Sequence, residues 1–162
     1  MATETRTYFT YNTPVGHITI GSNGAALTHI VFGIRVLPGE KKATKLTNDA
    51  ANQIQEYLAG KRFAFDLPLA AAGTNFQKQV WMELQTIPYG QTRSYSDIAV
   101  AIGKPNACRA VGGANNKNPL AIVIPCHRVI GANGKPVGYA GGLKTKEFLL
   151  ALEQNQKNRD AS

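Results

Sequence analysis

An apolar run that is interrupted by one polar cluster most restricts how this chain can fold. Residues 120–130 are Leu-Ala-Ile-Val-Ile-Pro-Cys-His-Arg-Val-Ile. We expect a buried strand that carries Cys126 between the rigid Pro125 and the imidazole of His127, with Arg128 next. A thiol attacks as its thiolate, and basic neighbours favour that form. The pattern therefore indicates a reactive cysteine, with a buried structural cysteine as the alternative.

The spacing within this cluster does not by itself define a catalytic pair. Neighbouring side chains of an extended strand point to opposite faces, so His127 need not contact the sulfur of Cys126. A Cys/His pair therefore stays one of two possibilities at this point.

Composition and charge limit the class of protein. The 162 residues carry a net charge of +8, which favours an anionic partner such as nucleic acid, although the charge can also serve solubility. The two cysteines, Cys108 and Cys126, form neither a Cys-x-x-Cys pair nor a zinc-site spacing. We therefore expect no disulfide framework, no metal and a cytoplasmic location. The sequence also predicts no signal peptide and no membrane span.

The first part of the chain predicts a small α/β domain over residues 1–72. Residues 7–11, 17–20 and 26–32 have the composition of three short antiparallel strands, with an Asn-Gly turn between the last two. Residues 37–42 are expected to form a loop. A helix follows over residues 44–59, capped by Gly60, and residues 61–69 are a candidate final strand.

Residues 73–162 predict a mainly helical second domain, which makes the fold class α/β in the α+β sense. Thr74-x-x-Gln77 and Ser94-x-x-Asp97 are capping boxes that begin two helices, and Asn106 can cap a third over residues 107–115. The last two of these helices resemble a helix-turn-helix. The second of them carries one charge, at Arg109, amid small residues, so it suits a minor groove better than base reading. Close helix–helix packing is the alternative.

Two features follow the cysteine. Residues 131–142 form a glycine-rich loop that can cover a flat ligand, with Tyr139 as a stacking face. A last helix is expected over residues 144–154. Glu153 lies at its end, where the helix dipole disfavours a carboxylate unless it has a partner such as His127 or a lysine.

The motifs together resemble the O6-alkylguanine-DNA alkyltransferase family, over about residues 74–154. The residues that carry the resemblance stand in family order: Ile-Pro-Cys-His-Arg-Val-Ile at 124–130, Ser94-Tyr95, Arg-Ala-Val-Gly-Gly-Ala at 109–114, Asn118-Pro119, Gly-Tyr-Ala-Gly-Gly-Leu at 138–143, and Lys146-Glu147 through Glu153.

The resemblance implies a DNA repair protein that moves an alkyl group from O6 of guanine irreversibly to Cys126. His127 then takes the thiol proton through a water, and Glu153 orients the imidazole. Asn118 holds the active-site turn, and Tyr95 lies near the extruded base and aids proton delivery.

The resemblance also implies how DNA and base are bound. Arg109 fills the gap left by the flipped nucleotide, since the O6 group cannot reach a buried thiol from within the stack. The implied DNA-contacting residues are Tyr95, Ala107, Arg109, Ala110, Gly112, Gly113, Ala114, Asn115 and Arg128. The implied alkyl pocket consists of Asn115, Ala121, Val129, Tyr139, Ala140 and Gly141. Ala140 stands where some members have serine, so a hydroxyl contact to O6 is lost.

The implied partner is double-stranded DNA, bound in the minor groove largely without regard to sequence by a monomer that needs no cofactor and no metal. The first third has no cysteine, so the structural zinc site of some relatives cannot be built. Three alternatives remain: a lesion-sensing protein that binds alkylated DNA without transfer, a helix-turn-helix regulator, and a cysteine hydrolase.

Overall fold

The computed structural model describes residues 5–134 and 138–161 of the chain. The described residues divide into two compact units: one runs up to Ala72 and includes Pro119–Ala121, and the other consists of Gly73–Asn118 and the described residues from Ile122 onwards. No helix in the described ranges is long and apolar enough to cross a membrane. The mixed α and β composition agrees with the fold class predicted from the sequence.

The first unit contains a four-stranded sheet in the order β3-β2-β1-β4. Its strands are β1 (Thr7–Thr13), β2 (Gly16–Ser22), β3 (Leu27–Phe32) and β4 (Glu40–Lys41). The predicted antiparallel pairing of the first three is confirmed. The fourth is parallel to β1 and replaces part of the expected loop. With only two residues it has no hydrophobic period that the sequence could have displayed.

Helix α1 (Lys45–Leu58) belongs to the same unit and confirms the predicted helix. Thr44 caps it in a capping box with Thr47, and Gly60 follows its end in the left-handed region at φ 76°. Its buried side chains include the fully enclosed Ile54 and Tyr57, which supply the core of this unit.

Two segments of the first unit differ from the sequence-based expectation. Residues 61–69 form no strand: Leu69 makes an isolated bridge to Leu27, residues 63–64 form a bend, and the others have no regular secondary structure. Pro119–Ala121, expected in the second domain, belong to this unit instead. The Ile30 amide donates to the Pro119 carbonyl at 2.8 Å, and the Ala121 amide donates to the Ile30 carbonyl at 3.1 Å.

The second unit is mainly helical. It contains α2 (Asn75–Leu84), α3 (Tyr95–Ala101), α4 (Cys108–Asn116) and α5 (Leu143–Ala161), together with the parallel two-residue strands β5 (Arg93–Ser94) and β6 (Val129–Ile130). Both predicted capping boxes, Thr74 with Gln77 and Ser94 with Asp97, are present. The buried Trp81 indole donates to the Ala114 carbonyl at 2.9 Å and so joins α2 to α4.

Two helix ends in this unit differ from the predictions. Ala107, rather than Asn106, is the N-cap of α4, and no side chain caps that end. Helix α5 continues to Ala161, so Glu153 lies in the interior of the helix. The dipole argument made for Glu153 therefore does not apply, because the dipole acts only within the last turn.

Candidate active site

The segment that leads to Cys126 is a tight turn and not the strand expected from its apolar sequence. Ile122 is buried in the left-handed region at φ 71°, which a β-branched residue adopts only when its surroundings impose it. Pro125, at φ −80° and ψ 63°, centres an inverse γ-turn in which the Cys126 amide donates to the Ile124 carbonyl at 2.8 Å. A single 3-10 turn, Cys126–Arg128, follows. An apolar run can be buried in a turn as well as in a strand, so the apolar pattern did not distinguish the two and the prediction of a strand was wrong.

Two asparagines hold this turn. The Asn118 side-chain amide donates to the Ile124 carbonyl at 2.8 Å, and that of Asn115 donates to the Cys126 carbonyl at 3.4 Å. Asn115 is 3% exposed, and its Oδ1 is a buried acceptor with no hydrogen-bond partner among the described residues. The position of Asn118 agrees with the turn-holding role that the family resemblance implies.

The thiol of Cys126 is buried and its reactivity is set by opposing influences. Burial raises the pKa of Cys126, while a hydrogen bond from Asn118 and the positive charge of Lys146 lower it. The net direction is upward, so a base is needed to generate the thiolate near neutral pH.

His127 and Glu153 form a buried pair beside this thiol. The ring Nε2 lies 2.7 Å from Glu153 Oε2. Burial lowers the pKa of His127, partly offset by Glu153. Burial alone would raise the pKa of Glu153, but hydrogen bonds and charges from His127 and Arg128 outweigh it and bring the pKa to about 2. A neutral imidazole that donates from Nε2 to an ionised carboxylate keeps Nδ1 as its basic nitrogen.

Arg128 supports Glu153 from the other side and lies away from the surface. It is 7% exposed, and its guanidinium donates to the carboxylate of Glu153 and, at 2.7 Å, to the carbonyl of Ile87. The Gly90 amide donates to Glu153 Oε1 at 3.1 Å. These three hydrogen bonds inside the protein fix the carboxylate and disfavour the DNA contact expected for Arg128, which stays a prediction.

Two tyrosines lie within electrostatic reach of the thiol. Burial raises the pKa of the half-buried Tyr95, and negative charge at Cys126 and then at Cys108 raises it further. Burial of the hydroxyl raises the pKa of Tyr139 well above its usual range, again with contributions from Cys126 and Glu153. Both phenols therefore keep their protons near neutral pH and can act as donors.

The other residues expected to line the alkyl pocket differ in how far they are exposed. Val129 is fully buried, Gly141 is half-buried and Ala140 is exposed. Ala121 is buried and belongs to the first unit. Part of the glycine-rich loop, residues 135–137, lies outside the described residues.

Helix α4 presents an exposed face of small residues around one guanidinium. Arg109, Ala110 and Gly113 are exposed, whereas Ala107 and Gly112 are half-buried. Ala114 and Asn115 are buried, and the Ala114 carbonyl is engaged by Trp81. Both side chains pack inward, which disfavours the direct DNA contact expected of Ala114 and Asn115; that contact stays a prediction.

Sequence reasoning missed the role of one buried cation. Lys146 on α5 is fully buried, and its Nζ donates to the Val129 carbonyl at 2.7 Å and to the Gly138 carbonyl at 3.3 Å. Its spacing of three from Leu149 and seven from Glu153 places it on the inward face of the helix, which the helical period could have revealed.

The described residues hold no group of three or more side chains that could bind a metal ion. The candidate site therefore consists of a buried thiol, an imidazole held by an ionised carboxylate, an arginine that fixes this carboxylate, a buried lysine and two protonated phenols. This set can accept an electrophilic carbon at sulfur, with protons moving through His127 and a tyrosine.

Comparison with known proteins agrees with this chemistry. Residues 75–155 match the family described as 6-O-methylguanine DNA methyltransferase, DNA binding domain, and residues 7–71 match the ribonuclease-like domain of the same methyltransferase. The chain belongs to the 6-O-methylguanine DNA methyltransferase family.

Individual relatives are similar over nearly their whole lengths. The methylated-DNA–protein-cysteine methyltransferase of Methanosarcina barkeri is 51% identical over 157 residues, which cover 91% of this chain and 97% of that protein. The protein of the same name from Mycobacterium bovis is 46% identical, with 94% and 95% covered. The crystal structure of Mycobacterium tuberculosis OGT in complex with DNA superposes with a TM-score of 0.87 at 44% identity, with 93% and 94% covered.

Proposed function

We propose that this protein repairs DNA by transferring a methyl or other alkyl group from O6 of guanine to Sγ of its own Cys126. The observation that carries the proposal is the buried thiol beside a neutral imidazole held by an ionised carboxylate. The names of the relatives, methylated-DNA–protein-cysteine methyltransferases, point to the same reaction.

In the proposed reaction, His127 removes the Cys126 proton through a water, and the resulting thiolate attacks the alkyl carbon. The carbon–O6 bond breaks, and its electron pair passes to the guanine, which takes up a proton. In this scheme Tyr95 provides that proton, and the burial that raises the pKa of its phenol keeps the phenol protonated until then. Glu153 stabilises the imidazolium that forms, by the logic of base and orienting carboxylate in other activated nucleophiles.

The transfer is irreversible in this scheme and ends after one turnover. The product is a thioether, a poor leaving group, and the mechanism contains no second nucleophile that would release it. We therefore expect one alkyl group per protein molecule and no catalytic turnover.

We further propose that the base reaches Cys126 by rotating out of the duplex through the minor groove. Cys126 is only 6% exposed, so its sulfur cannot contact an O6 substituent that is still inside the base stack. The small, exposed face of α4 suits close approach to a narrow groove, and Arg109 is free of the core to enter the vacated space.

The test is intact mass after incubation with duplex DNA that carries one O6-methylguanine, followed by peptide mapping. We expect a gain of one methyl group on Cys126, and no further gain with excess DNA. Cys126→Ser is the inactive variant, and Cys108→Ser, which removes the exposed second cysteine, is the matched control that should react normally.

Other outcomes discriminate among the alternatives. Tight lesion binding without mass gain supports a lesion sensor, and continuing product release supports a cysteine hydrolase. Methylation of a residue other than Cys126 would show that the acceptor has been assigned wrongly.

A further inference from the structure

We propose that a cleft at the amino end of helix α1, in the first unit, binds a phosphate group that belongs to a nucleotide-sized molecule or to a nucleic-acid backbone. The cleft has a volume of about 400 Å³, which lies within the range of small-molecule sites in proteins. The groups that line it include the side chains or backbone amides of Thr7, Ser22, Thr44, Lys45, Leu46 and Asp49. The proposal concerns the first unit alone and does not depend on transfer to Cys126.

The first support is a buried hydroxyl in this cleft. Thr7 is 3% exposed, and its Oγ1 has no hydrogen-bond partner among the described residues. The side chains of Thr7, Phe9 and Tyr11 share one face of β1. The Tyr11 hydroxyl donates to Asn48 Oδ1 at 2.7 Å, so this face lies against α1. A buried hydroxyl without a partner is unfavourable, so Thr7 points to a group that a ligand supplies.

The backbone around Thr7 explains why its side chain is the part that meets the cleft. Thr7 lies opposite Ser22 of β2 on one side and Glu40 of β4 on the other, so its backbone is inside the sheet. Directly opposite residues of antiparallel strands place their side chains on the same face, so the Ser22 hydroxyl lies beside that of Thr7. Ser22 Oγ accepts from the Gly24 amide at 2.9 Å, and its own hydrogen can still be donated to a ligand.

The second support is the amino end of α1. The Thr44 hydroxyl accepts from the Thr47 amide at 3.3 Å, and the Thr44 carbonyl accepts from the Asn48 amide at 2.9 Å. The amides of Lys45 and Leu46 have no carbonyl four positions earlier within the helix, and both residues line the cleft. The first turn of this 14-residue helix contains no acidic residue, so its positive dipole end can attract an anion.

One ion pair lies at the edge of the cleft. Lys45 Nζ donates to Asp49 Oδ2 at 2.8 Å, and both side chains are exposed to solvent. An exposed pair of this kind contributes little free energy, so the ammonium can turn towards a phosphate. The Asp49 carboxylate repels the same phosphate. Substitutions of the two residues should therefore change phosphate affinity in opposite directions.

The set of donors fits a phosphate better than it fits a cation. Two backbone amides, two hydroxyls and one ammonium can donate, and a phosphate monoester presents three strong acceptor oxygens. A cation would meet the positive end of the helix dipole and the ammonium of Lys45. The volume of about 400 Å³ also leaves room for a sugar or base attached to the phosphate.

The experiment is an NMR titration of the complete isotope-labelled chain with sodium phosphate, adenosine monophosphate or undamaged duplex DNA. Sodium chloride at matched ionic strength is the blank. We expect sodium phosphate to shift the amide signals of Lys45 and Leu46 saturably, with no comparable shift in chloride. The absence of saturable shifts at these amides with every probe would overturn the inference.

The probes also identify the source of the phosphate. Shifts at Lys45 and Leu46 with duplex DNA, together with weaker duplex binding by Thr7→Val, would support a nucleic-acid backbone as the ligand. Shifts with sodium phosphate and adenosine monophosphate, but not with duplex DNA, would support a small phosphorylated molecule.

Thr7→Val tests the buried hydroxyl. It should weaken phosphate binding by about tenfold, the effect of one hydrogen bond to a charged group. It should not lower the melting temperature in phosphate-free buffer, because the hydroxyl has no partner there among the described residues. Thr10→Val is the matched control on the same strand: the Thr10 hydroxyl is hydrogen-bonded to Thr19 Oγ1 at 2.9 Å, so its loss should lower the melting temperature and leave phosphate binding unchanged.

Two results for Thr7→Val would contradict the proposal. Unchanged phosphate affinity in the folded variant would show that the hydroxyl does not bind the ligand. A clearly lower melting temperature in phosphate-free buffer would show that the hydroxyl already has a partner in the protein.

The exposed ion pair keeps the test decisive if Thr7→Val does not fold. Lys45→Met should weaken phosphate binding about twofold to fivefold, the size of effect measured for exposed charges, and Asp49→Asn should strengthen it by a similar factor. Changes of the same sign in the two variants, or no change in either, would overturn the inference.

Discussion

Arg128 and Glu153 are joined inside the candidate site by two hydrogen bonds, from Nε to Oε1 at 2.8 Å and from Nη2 to Oε2 at 3.0 Å. The paired geometry fixes the plane of the carboxylate, and the carboxylate in turn meets the ring of His127. The sequence analysis paired Glu153 with His127, but it did not indicate that Arg128 would bind the same carboxylate.

Arg128→Ala should lower both stability and transfer. Removal of one partner of a buried ion pair leaves the Glu153 charge uncompensated, which costs about 3–5 kcal/mol. We expect a loss of this size in urea unfolding. Arg62→Ala, which breaks the partly exposed pair with Glu56, is the control and should cost about 1 kcal/mol or less. Equal losses for the two variants would contradict the role of Arg128.

The stabilising effect of Glu153 should disappear in acid. Its folded pKa of about 2 lies below the value of about 4.3 typical of an unfolded chain. A depressed folded pKa stabilises the protein fully above the unfolded pKa, and this stabilisation is lost as the pH falls towards the folded pKa. The difference in unfolding free energy between wild type and Glu153→Gln should therefore shrink between about pH 5 and 2. Glu147→Gln, exposed on the same helix, should differ little from wild type at any pH.

The pH dependence of transfer should reflect the neutral form of His127. Burial lowers the pKa of this imidazole below its ordinary 6.5, so the base stays deprotonated in mild acid. Single-turnover rates on DNA with O6-methylguanine should decline with a midpoint below pH 6.5, in a range where the fold is verified by circular dichroism. A midpoint at or above 6.5 would argue against His127 as the base.

Arg109→Ala should impair repair of duplex DNA specifically. The side chain is exposed on α4, so its removal should change the free energy of unfolding by about 0.5 kcal/mol or less. An unfilled gap in the duplex makes base extrusion less favourable, by about a few kcal/mol. We expect slower transfer from a duplex lesion and nearly unchanged transfer from the same lesion in a single strand. Equal slowing on both substrates would remove the proposed role in filling the gap.

Affinity for undamaged duplex should fall steeply with salt. The net charge of +8 provides lysines and arginines that can displace counterions from phosphates. We expect the logarithm of the binding constant to fall against the logarithm of salt concentration with a slope of about −2 or steeper, which corresponds to two or more phosphate contacts. A flat response would mean that the charge serves solubility.

Local features of the sequence were sufficient for most of the fold. Three strands, α1 and the two capping boxes follow from residue pattern and from side chains that satisfy backbone groups within four positions. Because interactions between residues close in sequence determine these elements, they can be predicted from a single sequence. The two-residue strands β4, β5 and β6 are defined only by their hydrogen bonds to a partner strand, so no local residue pattern could predict them.

The candidate site, like the fold, has features that the sequence predicted and features that only the tertiary structure decided. The order Pro125-Cys126-His127, with its similarity to a known family, was enough to nominate the thiol and its neighbour. Only the tertiary structure decided that residues 122–128 form a turn, that Arg128 points inward to Glu153, and that Lys146 bridges Val129 and Gly138. The physical reason is that buried charges take their positions from partners distant in sequence, since desolvation makes an unpaired position unfavourable. Sequence thus determined which groups are present, and packing decided which of them face one another.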